Sequence, residues 1–419
     1  MNITIVPKSL SGNIKVVSSK SLSHRYLIAA GLAKGRSTIS SVLQSKDLDA
    51  TKHALSALGV KFSGEHIIGG NLNLIENSID CYESGSTLRF MIPIALLQDK
   101  KVIFRGRGRL PERPLDIYFE LFKQKNIAFK RFGKHDLPLE VKGPLPSGLY
   151  EVKGNVSSQF ITGLLFALPL TDGPSILKIT TPIESRGYID LTLDVLNAFH
   201  IEVKEQNQTF YIKGNQTYVP QNIQVEGDFS QAAFWMIAGL IGSSVTLSNL
   251  NHQTKQGDFK IVELISNMQG SIHFDSMNHI YVIHPSQTYG SIIDLSDIPD
   301  LGPILMILAA LSEGTTTFVQ ASRLRIKESD RLEAMYQTLL KLGVDVKLDG
   351  DDMIISGQKS FKGNIILDGY QDHRIVMAIA IAAIRADGPI TIQGAEAVTK
   401  SYPNFFEVYK NLGGIIYES

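Results

Sequence analysis

Apolar residues recur at three- and four-residue spacing in two kinds of segment that alternate along the chain. The first kind is amphipathic and ends in a turn and a strand-like run. It appears as DLDATKHALSALGVKF, PLDIYFELFKQKNIAFK, YIDLTLDVLNAFHIEVK, GDFKIVELISNMQGSIHF, SDRLEAMYQTLLKLGVDVK and PNFFEVYKNLGGIIYE. The turn residues are Gly59, Asn126, His200, Gly270, Gly343 and Gly413, separated by 67, 74, 70, 73 and 70 residues. The second kind is apolar nearly all round: SHRYLIAAGLA, STLRFMIPIALL, SSQFITGLLFALPL, SQAAFWMIAGLI, LGPILMILAAL and DHRIVMAIAIAAI. A helix apolar on every side is buried, whereas an amphipathic one lies against solvent. The period therefore predicts six repeats of about 70 residues, each with an inner helix, an outer helix and strands.

Six such repeats make an α/β protein of two pseudo-equivalent halves, three repeats each. The expected division is residues 1–13 with 226–419 as one half and 14–225 as the other, with hinge strands near 12–16 and 224–228. The strand at residues 2–6 precedes the first repeat and is expected to complete the other half.

Charge narrows the function. Lys plus Arg and Asp plus Glu number 41 each, so no global basic excess points to nucleic acid or to a membrane surface. The longest apolar runs, ILMILAAL and IVMAIAIAAI, fall short of the ~20 residues of a membrane span. The N-terminal MNITIVPKSLSG lacks the pattern of a secretory signal, so a cytoplasmic location is expected. The single cysteine, Cys81, excludes an internal disulfide and a Cys-based zinc site; it reads as a small buried residue. His279 and His284 lie in NHIYVIH and read as a strand surface.

Candidate chemistry gathers where the inner helices begin. A helix N-terminus offers unpaired N–H groups and a partial positive charge. SSKSLSHR adds four Ser with Lys20 and Arg25, ESGSTLR adds Gly85, Ser86 and Arg89, and GNVSSQF adds Ser157, Ser158 and Gln159. A Ser N-cap with solvated cations accounts for any one of these alone; three together favour an anion site. The other three starts differ: EGDFSQAAF carries Asp228 and Ser230, DIPDLGPIL carries Asp297 and Asp300, and YQDHR carries Asp372, His373 and Arg374. Two loops add cations. RGRGRLPERPLD holds Arg105, Arg107, Arg109 and Arg113, the first three of which equally suit a solvated surface. RLRIKESDR interleaves Arg323, Arg325, Lys327 and Arg331 with Glu328, Ser329 and Asp330. No GxxxxGK[ST] run is present, and the GxG at 106–108 lacks the rest of a dinucleotide fingerprint.

SKSLSHR, SGSTLR, LPERPLD, VSSQF, ESRGYID, EGDFSQAAF, IPD, RIKESDR, DHR and TKSYPNFFE, in this order and over nearly the whole chain, closely resemble the 5-enolpyruvylshikimate-3-phosphate synthase family of enolpyruvyl transferases. The resemblance implies two domains, each an inside-out α/β barrel of three βαβαββ units. It implies transfer of the enolpyruvyl group of phosphoenolpyruvate to the 5-hydroxyl of shikimate 3-phosphate, with release of phosphate. By similarity, Ser21, Arg25, Ser157, Ser158, Ser185, Tyr188, Asp300 and Lys327 would contact shikimate 3-phosphate. Lys20, Gly85, Ser86, Arg113, Gln159, Arg331, Arg374 and Lys400 would hold phosphoenolpyruvate. Asp300, Glu328, Lys20 and His373 would carry the chemistry. No metal or other cofactor is implied, since Arg and Lys stabilise the charge. The two halves carry different parts of this set, which implies that shikimate 3-phosphate draws them together. A monomer is expected.

Two positions depart from the commonest family pattern: Glu83 stands where Asn is frequent, and Arg323 stands where Asn often precedes the Lys-Glu pair. Two rival readings remain at this point. A UDP-N-acetylglucosamine enolpyruvyl transferase would carry a Cys in the GRGRLPERP loop, which has none. A non-catalytic scaffold for phosphorylated ligands would have no need of Asp300 and Glu328 amid cations.

Overall fold

The computed structural model describes residues 1–418, which form two compact units. One comprises Met1–Ser18 with Glu226–Ser419, and the other Ser19–Val225. The expected boundary at residue 13 lies five residues earlier in the chain than the observed one, because Gly12–Lys15 is a strand of the first unit, paired in parallel with Val245–Ser248. Asn222–Gln224 pairs in parallel with Gly35–Ser40 inside the second unit.

Twelve α-helices follow one another among the described residues: α1 (Lys20–Leu32), α2 (Lys46–Ala57), α3 (Gly85–Ala95), α4 (Asp116–Gln124), α5 (Ser158–Ala167), α6 (Arg186–Ala198), α7 (Phe229–Ile241), α8 (Lys260–Asn267), α9 (Gly302–Ala309), α10 (Arg331–Lys341), α11 (His373–Ala382) and α12 (Phe405–Asn411). Odd-numbered helices are the apolar ones. Every residue of α7, α9 and α11 is buried. Even-numbered helices bury one stripe, as in α2, where Leu48, Ala50, Thr51, Ala54, Leu55 and Ala57 are covered. The inner and outer sets thus fall where the hydrophobic pattern puts them. None of the described helices is long and apolar enough to cross a membrane.

Each unit holds three four-stranded sheets of one topology. In the sheet after α4, Gly148–Val152 runs parallel to Ser175–Ile179, which pairs antiparallel with Thr209–Ile212, and that strand pairs with Val203–Gln206. The parallel step needs a crossover, supplied by α5; the hairpin of Val203–Gln206 and Thr209–Ile212 needs only a short turn. Tyr150, Leu177 and Phe210 share one register row and are buried, while Leu149, Ile176 and Tyr211 form the adjacent row on the exposed face. Asn2–Val6 lies between Ile390–Gln393 and Ile415–Glu418 and completes the last sheet of the first unit. In the same unit, Ile280–His284 is a strand whose exposed His284 bonds Ser244 Oγ at 2.9 Å. Cys81 is fully buried, and burial, assisted by the charge of Asp80, pushes its thiol pKa up.

One inner contact shows how sequence irregularity is absorbed. Pro93 sits inside α3 and cannot donate to the carbonyl of Arg89 four residues earlier. The hydroxyl of buried Tyr118, from α4, donates to that carbonyl instead. Gly163 of α5 packs at the same spot: a Cβ there would lie 2.4 Å from Arg89 O and 2.6 Å from the Tyr118 hydroxyl. Tyr118→Phe should lower the unfolding free energy in urea by about 1–3 kcal/mol, the cost of an orphaned buried acceptor. In a Pro93→Ala background the helix regains its own donor, so the same substitution should cost less than about 1 kcal/mol. Equal costs in both backgrounds would show that the carbonyl is not the cause.

Candidate functional site

In the second unit three inner helices begin on Ser N-caps. Ser19 accepts from Leu22 N at 3.3 Å, Ser84 from Thr87 N at 3.2 Å and Ser157 from Gln159 N at 3.3 Å. A neutral cap satisfies one N–H and leaves the rest of the helix terminus positive. Lys20 opens α1 and its Nζ lies 3.1 Å from Asp47 Oδ2. Gly85 and Ser86 open α3, with the Arg113 guanidinium packed on Gly85: a Cβ there would lie 2.6 Å from Arg113 Nη1. Gln159 joins α5 to α3, accepting from Arg89 Nη1 at 2.7 Å and donating to Ser86 Oγ at 2.9 Å. Hence Lys20, Gly85, Ser86, Arg113 and Gln159 belong to one local framework, with the N-terminal turn carrying Ser157 and Ser158 at its side.

Arg25 is tied to its own protein through three of its N–H groups. It is buried, and burial lowers its pKa to about 10. Its Nε donates to Thr192 Oγ1 at 2.9 Å, and its two terminal nitrogens donate to the carbonyls of Ser21 and Tyr188, each at 2.8 Å. Two of its donors therefore hold the backbone of two other expected ligands. Ser185, buried at the start of α6, has φ 56° and ψ 47°. A left-handed non-glycine residue costs about 1–3 kcal/mol and is concentrated at ligand-binding sites. Arg107 pairs with Asp80 at 2.6 Å, Arg109 lies 3.9 Å from Glu112, and Arg105, at the end of the strand Lys101–Arg105, bonds Ser78, all on the exposed surface. These three follow the surface reading.

The first unit caps its inner helices differently. Asp228 accepts from the N–H groups of Ser230 and Gln231 at 2.9 and 3.2 Å. Asp372 accepts from Arg374 N at 2.9 Å. Asp300 lies in the turn Pro299–Leu301 that leads into α9. Around these carboxylates stand the cations. Arg331 is 1% exposed and places Nε 2.7 Å from Asp372, one terminal nitrogen 2.9 Å from Asp300 and the other 2.6 Å from Glu328. Arg374 reaches Asp300 Oδ2 at 3.2 Å and Ser230 Oγ at 2.9 Å. Lys327 lies 3.3 Å from Asp300 Oδ1. His373 is buried, its Nδ1 4.0 Å from Asp372 Oδ1. Lys400 ends the turn Ala395–Lys400 and donates to the carbonyl of Gln371 at 2.9 Å. Asp300, Lys327, Glu328, Arg331 and Arg374 thus form one ion network, in which Arg331 is a clamp on three carboxylates.

Two members escaped the sequence reading. Asp47 sits on an outer helix and looked like a helix-start acid; only folding brings it to Lys20. Asp258 is buried in the turn Gly257–Phe259, and burial, then the charge of Asp300, pushes its carboxyl up to about 7. No local motif marks it.

The chain matches the family model described as EPSP synthase (3-phosphoshikimate 1-carboxyvinyltransferase) over residues 5–409. It belongs to the EPSP synthase family. Proteins named 3-phosphoshikimate 1-carboxyvinyltransferase from Clostridium novyi and Clostridium acetobutylicum are each 45% identical to it, aligned over 100% and 99% of this chain and 98% of their own length. An EPSP synthase structure from Acinetobacter baumannii superposes with a TM-score of 0.83 at 26% identity, covering both chains fully. The enolpyruvyl transferase NikO from Streptomyces tendae shares the fold, with a TM-score of 0.82 at 14% identity over 100% of this chain and 98% of that one. Membership of the EPSP synthase family favours neither of the rival readings.

The buried Asp258 has a thermodynamic consequence. Its folded-state pKa is raised above the ~4 of an unfolded Asp, so the native state keeps a proton that the unfolded chain releases. That contribution to stability is complete below about pH 4 and is lost as pH rises towards about 7. Thermal melts of wild type and Asp258→Asn should therefore show wild type losing ground to the variant across that window. A pH-independent difference would exclude the buried-acid assignment.

Proposed function

We infer that this chain transfers the carboxyvinyl group of phosphoenolpyruvate to the 5-hydroxyl of shikimate 3-phosphate and releases phosphate. Family membership supports the reaction. The single structural observation that carries its chemistry is Asp300 held within 3.3 Å of Lys327, Arg331 and Arg374. Both substrates are polyanions, and fixed cations bind them. A carboxylate among those cations adds what a mere anion binder does not need, a proton acceptor.

The reaction divides into addition and elimination. In the addition, the 5-hydroxyl oxygen bonds C2 of phosphoenolpyruvate, the hydroxyl proton leaves to Asp300, and the methylene carbon takes a proton from Glu328. In the elimination, the methyl group returns a proton to Glu328 and the bond from C2 to the phosphate oxygen breaks. Lys20 supplies the proton to the departing phosphate. Ser157, Ser158, Ser185, Ser21, Tyr188 and Lys327 bind shikimate 3-phosphate, with Arg25 fixing the backbone of Ser21 and Tyr188. Gly85, Ser86, Arg113, Gln159, Arg374 and Lys400 hold phosphoenolpyruvate. Arg331 orients Asp300 and Glu328 and adds its charge, and His373 stands near the reacting carbons. Fixed dipoles and cations stabilise the developing charge without reorganising. We further propose that the protein acts as a monomer in the cytoplasm.

Phosphate release by the purified chain, with phosphoenolpyruvate plus either shikimate 3-phosphate or UDP-N-acetylglucosamine, tests the assignment. Release should occur with the first acceptor alone; release only with the second would overturn it. In the same assay Glu328→Gln should cut turnover by about 10²-fold or more while substrate binding is largely kept. A near-normal rate removes Glu328 from the mechanism.

Burial lowers the pKa of Lys327 to about 8, an effect the charge of Asp300 partly offsets. Above that pH the free enzyme loses a cation, so kcat/KM for shikimate 3-phosphate should fall as pH rises from about 8 to about 10. Lys327→Arg keeps its charge and should give a flat profile there, at a lower plateau because the fork differs in shape. Parallel slopes would show that another group titrates.

A further inference from the structure

His24 has no place in the mechanism above, yet it is buried where Lys20 and Arg25 stand on the same helix. Its Nδ1 lies 2.7 Å from Thr51 Oγ1, on α2. Thr51 Oγ1 lies 2.7 Å from Thr87 Oγ1, on α3. Thr87 Oγ1 donates to Ser84 Oγ at 2.8 Å, and Ser84 is the N-cap of α3. Thr87 Oγ1 also reaches the carbonyl of Asp47 at 3.3 Å, the residue whose carboxylate pairs with Lys20. Four side chains from three helices thus form one buried chain.

Proton counting gives the chain a direction. Each hydroxyl has one proton to donate. Thr87 has Ser84 Oγ and the Asp47 carbonyl as acceptors for its proton, so Thr51 donates to Thr87 and an N–H on His24 Nδ1 heads the chain. The other ring nitrogen, Nε2, is buried without a hydrogen-bond partner among the described residues. A neutral ring with its proton on Nδ1 leaves no donor unmet. Burial, and then the charges of Lys20 and Arg25, hold the ring pKa well below its ordinary value, in keeping with that neutral form. The ring stands edge-on to Phe90 of α3, with centroids 6.4 Å apart.

The chain ends at the first turn of α3, where Gly85 and Ser86 follow directly on Ser84, and it passes the backbone of Asp47. We propose that His24 is a positioning residue for phosphoenolpyruvate: through Thr51 and Thr87 it fixes the spacing between the Lys20–Asp47 pair and the Gly85–Ser86 turn. The proposal rests on the reading that Lys20, Gly85 and Ser86 hold phosphoenolpyruvate. Shikimate 3-phosphate, assigned to Ser21 of α1 and to Ser157, Ser158, Ser185, Tyr188 and Lys327, shares only α1 with the chain, and Ser21 is held there by Arg25 and not by His24.

Steady-state kinetics on the full chain test it. His24→Leu should raise the KM for phosphoenolpyruvate about tenfold, with the KM for shikimate 3-phosphate changed less than about twofold. His24→Asn should recover most of the loss, because its amide nitrogen can stand where Nδ1 stands. Thr87→Val should mimic His24→Leu, and the double variant should be no worse than the poorer single, since either change breaks the same chain. If His24→Leu does not fold, Thr51→Val and Thr87→Val carry the same comparison. The proposal is overturned if both KM values rise together, if Asn is as poor as Leu, or if the two effects multiply. Lys20→Met separates the underlying assignment. An unchanged KM for phosphoenolpyruvate there overturns that assignment and this inference with it. A raised KM there beside an unchanged His24→Leu overturns the inference alone.

Discussion

A helix that is apolar on every side can only be buried, and its first-turn N–H groups are then the part of it left with chemistry to offer. That constraint organises each unit. Residues such as Ile304–Leu308 in α9 or Ile375–Ile379 in α11 make no polar contact through their side chains and sit at or near zero exposure. The free energy of their burial, of order 1.5–3 kcal/mol for each large side chain, fixes where the helix ends lie. Capping residues and cations then need only to be placed at those ends. The hydrogen bonds from Arg89 through Gln159 to Ser86, and from Arg374 to Ser230, show that ends of different inner helices do meet within each unit.

Burying charge at such a meeting point is costly unless every charge has a partner. Arg331 shows the solution. Its guanidinium is nearly inaccessible, but all three nitrogens face carboxylates. The network gains rigidity from this arrangement more than net stability, because desolvating the ions consumes much of their attraction. Rigidity is what proton transfer requires, since a misplacement of about 1 Å can cost a factor near 10² in rate. Arg25 plays the equivalent part in the second unit, holding backbone carbonyls in place of carboxylates.

The repeat, the split into inner and outer helices and the sites of most cations were legible in the sequence, because each is a local pattern. Turn residues at steady intervals and runs without polar breaks are visible without knowing any contact. What was not legible depends on contacts across the chain. Gly12–Lys15 looks like part of the repeat that follows it, and only its pairing with Val245–Ser248 assigns it to the other unit. Asp47 and Lys20 are 27 residues apart and lie on different helices. Asp258 carries no cap or motif, and its raised pKa arises from burial near charges that are distant in the sequence, Asp300 above all. Arg25 and Arg331 were recognisable as important by type, but whether a guanidinium faces a ligand or its own protein is decided by neighbours. Arg323, one of the two departures from the family pattern, illustrates the same limit: its side chain is largely buried and donates to the carbonyl of Ser296 at 3.3 Å.

The two units build the same scaffold yet finish it with opposite capping chemistry. Ser19, Ser84 and Ser157 are neutral caps, which satisfy one N–H and leave the partial positive charge of the helix terminus to act on an anion. Asp228 and Asp372 are charged caps, which cancel that field and bring carboxylates into a ring of cations. A Ser-capped end suits the binding of phosphate or carboxylate groups without competition. An Asp-capped end is poorly suited to binding an anion by itself, so its cations must first overcome its own acids. Such an arrangement is wasteful for simple binding and useful for chemistry that must move a proton beside a bound anion. The change of cap from Ser to Asp, repeated on one fold, is therefore the feature that distinguishes the inner-helix ends of one unit from those of the other.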